Sequence, residues 1–92
     1  MVFLGPGTKH IIPKVICVDP ASIGSSYDYI AYFEYKNNNN ADVYIPIGED
    51  NIFESSGIFD ASNQPALFLQ GGGTFEVFFD GAELTWIVAS YN

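Results

Sequence analysis

The stretch FEVFFDGAELTW, residues 75–86, decides the fold class of this chain. On both sides of its central Asp80-Gly81 pair, apolar side chains alternate with other residues. The set that shares one face is Phe75, Val77 and Phe79 before the pair, and Leu84, Trp86 and Val88 after it. A period of two is typical of a half-buried β-strand, and Asp-Gly is a favoured hairpin turn. The stretch therefore predicts two antiparallel strands joined by a tight turn, with Trp86 in the core.

The same period recurs upstream, bounded by clusters of Gly, Pro, Asn and Asp, and no helical period is found. Further strands are predicted at residues 11–19, 27–36, 42–47, 51–54 and 66–70. Pro13 lacks a backbone N–H, so it places the start of the first of these strands at a sheet edge. The four Asn of residues 37–40 predict a hairpin loop, because Asn tolerates turn conformations.

Six to eight short strands without a helix predict an all-β chain, folded as a single two-sheet antiparallel β-sandwich of immunoglobulin-like or jelly-roll-like type. Ninety-two residues are too few for two self-supporting cores, so one sandwich domain is expected over residues 11–92. Residues 1–10 are expected to form a flexible segment, because Gly5-Pro6-Gly7 separates Val2-Phe3-Leu4 from the body. That segment is a candidate intersubunit strand.

Composition excludes several classes of partner. Apolar residues make up 48% of the chain, which supports a packed core, and the net charge is −8 with three Lys and no Arg. A surface this acidic is not expected to bind nucleic acid or an anionic lipid, and no window is apolar enough for a membrane span. The single Cys17 cannot close an intramolecular disulfide and is predicted to be a buried, unreactive thiol among apolar neighbours.

Several separated motifs resemble a known group of modules in their order along the chain. They are the Cys-bearing run at residues 16–18, the Tyr-rich run ending in Asn at 29–38, VYIPIG at 43–48 followed by Asn51 and Phe53, Gln64-Pro65, and the stretch at 75–86. This order resembles the immunoglobulin-like β-sandwich modules, often repeated, of bacterial secreted and surface-anchored proteins. The resemblance implies an extracellular or cell-surface location, and it carries over no catalytic residue.

The sequence offers candidates for two kinds of binding site. Glu49, Asp50 and Asn51 offer the oxygen ligands that calcium prefers, but their spacing matches no regular calcium loop. No cofactor is otherwise expected. Tyr and Trp side chains can form flat platforms for sugars. Trp86 is assigned to the core, which leaves Tyr32, Tyr44 and Tyr91 as candidate carbohydrate contacts.

The faces opposite the predicted core carry more apolar side chains than a soluble monomer needs. The candidate assembly surface consists of Val2, Phe3, Leu4, Ile30, Tyr32, Phe78, Ile87 and Tyr91. Together with the extracellular location that the resemblance implies, these faces predict a non-enzymatic extracellular structural module that associates with copies of itself or with neighbouring modules in a fibre, matrix or repeat array. The alternative is a carbohydrate-binding or adhesive module of a secreted protein, with a polysaccharide as its partner.

Overall fold

The computed structural model describes residues 2–3 and 5–89, and every regular element in these ranges is a strand. The strands are β1 (Val2–Phe3), β2 (Ile11–Pro20), β3 (Tyr29–Asn37), β4 (Val43–Tyr44), β5 (Asn51–Ser55), β6 (Phe59–Asp60), β7 (Leu67–Phe68), β8 (Gly73–Phe79) and β9 (Leu84–Val88). The all-β prediction is confirmed. The nine strands of the described ranges exceed the predicted number because four of them have only two residues.

The strands form three sheets. The long sheet has the order β2-β3-β8-β6, the short sheet pairs β5 with β9, and the side sheet has the order β1-β4-β7. Every pairing is antiparallel except the parallel one between β1 and β4. The long and short sheets pack face to face, since the Phe33 ring of β3 lies 5.2 Å from Phe53 of β5 and 6.0 Å from Trp86 of β9. The predicted β-sandwich is therefore present.

An aromatic cluster fills the space between the sheets. The buried apolar residues are Ile11, Ala31, Phe33, Tyr35, Val43, Ile45, Phe53, Phe68, Val77, Phe79 and Trp86. Trp86 stacks on Phe53 and on Phe68 and meets Phe75 edge-on at 4.9 Å. Such pairs add to the free energy gained from apolar burial alone. The predicted core position of Trp86 is confirmed, as is the predicted core face of β8.

The turn at Asp80-Gly81 does not join a hairpin, so that part of the sequence prediction is wrong. β8 pairs with β3 and β6 in the long sheet, whereas β9 pairs with β5 in the short sheet. Residues 80–83 thus carry the chain from one sheet to the other. The Asp80 carboxylate accepts hydrogen bonds from the backbone N–H groups of Ala82 at 3.0 Å and Ile58 at 3.1 Å, and Gly81 has a φ of 97°. The Asp80-Gly81 pair makes a turn, but this turn connects two different sheets and does not join two paired strands.

The Asn run at residues 37–40 is not a hairpin loop either, because β3 and β4 belong to different sheets. Asn37 ends β3 in phase with Tyr35, so its side chain faces inward and is buried. Its Nδ2 donates to the carbonyl oxygens of Ala41 and Phe68 at 3.0 and 2.9 Å, while its Oδ1 accepts from the backbone N–H of Asn39 at 2.9 Å. One amide therefore fixes the path of the chain between the sheets.

Candidate assembly surface

Strand β2 is an edge strand with an unusually exposed surface. It has ten residues and pairs only with β3, and Ile11 is its one buried residue. The location of Pro13 at a sheet edge is confirmed. The exposed apolar side chains of β2 are Ile12, Val15, Ile16 and Val18, each with 47% to 52% of its surface accessible.

The register of β2 on β3 tells which of these side chains face the inside of the sandwich. Val15 lies opposite Phe33, and Val18 lies opposite Ala31, with a bulge between Val15 and Cys17. Directly opposed residues of antiparallel strands share a face, and Phe33 and Ala31 are core residues. Val15 and Val18 therefore face the interior, yet they remain half exposed. Among the described residues, no strand of the short sheet lies beyond β9 to cover them.

A groove of about 440 Å³ opens between β2 and β9, and we call it the β2–β9 groove. Its walls and floor include Pro13, Val15, Val18, Phe33, Leu84 and Trp86. Lys14 and Glu83 are the charged residues of the lining, so the surface inside it is predominantly apolar. The core residues Phe33 and Trp86 thus line a groove that is open to solvent on this side of the sandwich.

The wall formed by β9 also presents unpaired backbone. Ala89 donates its N–H to the carbonyl of Asp50 at 2.8 Å, which makes these two residues a hydrogen-bonded pair. Hydrogen-bonded and non-bonded pairs alternate along antiparallel strands. The N–H and C=O groups of Leu84, Trp86 and Val88 therefore point away from β5, toward an edge on which the described part of the chain places no strand.

The assembly residues predicted from sequence are spread over three places. Ile30, Tyr32 and Phe78 are partly buried on the outer face of the long sheet, where Ile30 lies directly opposite Phe78. Ile87 is 39% exposed on the outer face of the short sheet. Val2 and Phe3 are exposed in β1, while Leu4 and Tyr91 lie outside the described residues.

The prediction that Cys17 is buried is wrong, because this residue is exposed on β2. The apolar run at residues 15–18 has the composition of a core strand, but a strand is covered only if another sheet lies opposite it. The same error concealed the β2–β9 groove, which sequence reasoning did not find.

Strand β1 is joined to its own domain by a short contact. The N–H of Val2 donates to the carbonyl of Asp42 at 2.8 Å, and the Phe3 ring meets Tyr44 edge-on at 5.7 Å. A turn follows, in which the N–H of Thr8 donates to the carbonyl of Gly5 at 3.0 Å. Val2 and Phe3 are nevertheless 42% and 67% exposed.

Beyond that turn the chain is held firmly. The Asn39 side chain binds both backbone groups of Lys9: its Oδ1 accepts from the N–H at 2.8 Å, and its Nδ2 donates to the carbonyl at 3.1 Å. The body of the domain is therefore anchored from Lys9 onward, independently of β1.

The carbohydrate candidates are not brought into one strip. Tyr32 lies on β3 in the long sheet, and Tyr44 lies on β4 in the side sheet with its ring against Phe3. Tyr91 lies outside the described residues.

The calcium candidates are separated by burial. Glu49 and Asp50 are exposed, whereas Asn51 is fully buried. The Asn51 Oδ1 accepts from Nε1 of Trp86 at 3.0 Å and from Nε2 of Gln64 at 2.8 Å. Its Nδ2 donates to the carbonyls of residues 45 and 65. The side-chain amide of Asn51 is thus fully engaged in hydrogen bonds within the core. Within residues 2–3 and 5–89, no cluster of three His, Cys, Asp or Glu side chains is placed to hold a metal.

Two carboxylates have altered proton affinity. The backbone N–H of Ala82, and then that of Ile58, lower the pKa of Asp80, since both stabilise the ionised form. The backbone N–H of Ser62 lowers the pKa of Asp60 in the same way. Both groups stabilise turns, and neither lines the β2–β9 groove.

Searches against family models, curated proteins and solved structures found no match to this chain. Within the described ranges, no helix has the length and apolar character needed to cross a membrane.

Proposed function

We propose that this domain is a non-enzymatic structural module that associates with copies of itself, or with similar neighbouring modules, through the open side of its sandwich. The observation that carries this proposal is the exposure of Val15 and Val18, which face the interior of the fold and yet are about half accessible to solvent. Burial of such apolar surface by a partner stabilises the complex by about 25 cal/mol for each Å² removed from water.

The backbone adds a second contribution to the same surface. An uncovered strand edge is a template for pairing with another chain, and proteins that remain monomeric usually protect such edges. On β2 the protection consists of Pro13, Pro20 and Lys14, while Ile12 and Ile16 stay exposed. The edge of β9 lies beside an apolar groove. These features favour partner binding over a solitary monomer.

The cellular setting is part of the proposal and rests on the resemblance to secreted and surface-anchored bacterial modules. In that setting we propose that the associated copies form a fibre, a matrix or an array. The net charge of −8 would keep isolated domains soluble until their apolar edges meet.

The test is the state of association of the purified chain over a wide concentration range, measured by analytical ultracentrifugation and electron microscopy. We expect concentration-dependent oligomers, and we expect Val18→Lys to weaken association at least tenfold. Ile23→Lys is the matched control, because Ile23 is fully exposed in the loop after β2 and takes no part in the groove. A wild-type chain that stays monomeric at every concentration would overturn the proposal.

A further inference from the structure

We infer that the β2–β9 groove is the acceptor site for the N-terminal segment of a second copy of this chain, which enters as a third strand of the short sheet beside β9. This inference rests on the proposed function, and it specifies which segment binds and where.

The strand order locates an unfilled position in the fold. In a seven-stranded immunoglobulin-type sandwich, one sheet has the order A-B-E-D and the other contains C, F and G. In chain order, β2, β3, β5, β6, β8 and β9 occupy the positions of A to F. No strand in the described part of the chain occupies the G position. That position lies along the free edge of β9 and opposite β2, which is where the β2–β9 groove opens.

The chemistry of the groove defines its occupant. The outward N–H and C=O groups of Leu84, Trp86 and Val88 can pair with an extended backbone. On such a strand every second side chain points inward, where Val15 and Val18 of β2 offer apolar contacts. The groove therefore fits a short, apolar, extended segment.

Charge and exposure favour the segment at residues 1–7. It contains no charged side chain, whereas all eleven Asp and Glu lie in residues 19–92. Two copies of the acidic body repel each other, and a donor without acidic side chains can approach the body of another copy without that repulsion. This segment also supplies Val2 and Phe3, whose side chains are 42% and 67% exposed in their own domain.

The segment can be released without unfolding its own domain. Its strand β1 pairs with β4 over only two residues. The turn that follows includes Gly7 at a φ of 87°, and the clamp of Asn39 on Lys9 holds the body beyond it. Strand β1 and the turn after it can therefore leave the body while β2 stays paired with β3.

The arrangement has a consequence for symmetry. The donor segment contributes β1 to the side sheet of its own domain, whereas the acceptor groove lies between the long and short sheets. Donor and acceptor are different surfaces, so the contact is heterologous and propagates along an open chain of copies unless its rotation closes a ring. A filament one domain wide is the expected product.

A complementation experiment tests the inference on intact domains. One variant lacks residues 1–7 and keeps the groove, and the other carries Val18→Glu and keeps the donor segment. Neither is expected to form chains alone, and their equimolar mixture is expected to form a one-to-one dimer. Ile23→Glu is the matched control and should assemble like the wild type. If the truncated chain assembles as readily as the intact one, the inference is overturned while the proposed function stands.

A peptide experiment separates the two proposals further. The peptide MVFLGPGT, residues 1–8, is added to the truncated chain, and the fluorescence of Trp86, the single Trp, reports on the groove. We expect saturable binding, slower amide exchange at Leu84, Trp86 and Val88, and at least tenfold weaker binding of the same peptide carrying Phe3→Ser. Absence of binding, or binding that leaves β9 exchange unchanged, overturns the inference. A monomeric wild type overturns the proposed function whatever the peptide does.

Discussion

Strands β2 and β3 are neighbours that pair along nearly their whole length, yet one is a core strand and the other is exposed. In β3, Ala31 and Phe33 are only 1% and 6% accessible, while their partners Val18 and Val15 in β2 are 48% and 52% accessible. Both strands have apolar residues on the inner face. The difference teaches that burial depends on whether a second sheet lies opposite the strand, which no alternation within the strand can encode.

The largest loss of stability is expected from Trp86→Ala, on the side of the sandwich where the two sheets cover each other. Trp86 is 7% exposed and contacts several aromatic rings, so we expect a loss of about 3 to 5 kcal/mol in the free energy of unfolding. Urea denaturation measures it. An unfolding midpoint equal to that of the wild type would mean that the ring is not part of the core.

A second, smaller loss is expected from Asn51→Ala. It removes the acceptor of the Trp86 Nε1 proton and one acceptor of the Gln64 amide, and a buried polar group left without a partner costs about 1 to 3 kcal/mol. The comparison is Asn39→Ala, whose side chain clamps Lys9 at an exposed site and should cost less. Equal losses in urea denaturation would contradict this reading of the buried amide.

The direct comparison of the two sides uses the same change at two positions. Val77→Ala removes a fully buried side chain and should cost about 2 kcal/mol, whereas Val18→Ala should cost less than about 1 kcal/mol in the isolated domain. If the groove is a docking site, Val18→Ala should weaken association more than Val77→Ala does. Urea denaturation of the two variants measures the loss of stability, and analytical ultracentrifugation of the same variants measures the change in association.

The smallest expected effect is a dependence on pH at the sheet crossing. Hydrogen bonds from Ala82 and Ile58 lower the folded-state pKa of Asp80 below 3.8. The stability that this carboxylate contributes is therefore present above pH 4 and is lost as pH falls through the folded pKa. Asp80→Asn should flatten the decline of the thermal midpoint as the pH falls below about 4. An unchanged slope would show that the carboxylate does not stabilise the crossing.

Much of the fold could be predicted because it depends on local pattern. The two-residue period identifies β3, β8 and β9 and places Phe33, Val77 and Trp86 in the core, since side-chain direction follows directly from strand geometry. The same period extends to two buried polar residues. Asn37 continues the inward phase of Tyr35, and Asn51 has the phase of Phe53, so both buried amides can be assigned to the interior by counting.

Sheet membership could not be predicted, because it depends on contacts between distant parts of the chain. Asp80-Gly81 and the Asn run have turn chemistry, and that chemistry is the same whether the turn joins a hairpin or a crossing between sheets. The exposure of Cys17 and the β2–β9 groove were missed for a related reason. They result from a strand position that the described chain does not fill. The residues around such a position have the same apolar alternation as residues that another strand covers, so the sequence pattern does not reveal it.

The central pairing of the long sheet sets the order in which the protein can fold. β3 and β8 join residues between 38 and 50 positions apart, from Tyr35 with Gly73 to Tyr29 with Phe79. A nascent chain can complete this pair only after residue 79 has been synthesised, and the entropy of closing so long a loop is lost before the pairing contacts form. We therefore expect folding on the millisecond-to-second timescale of non-local β-proteins, with the Tyr-rich strand β3 exposed until its partner arrives.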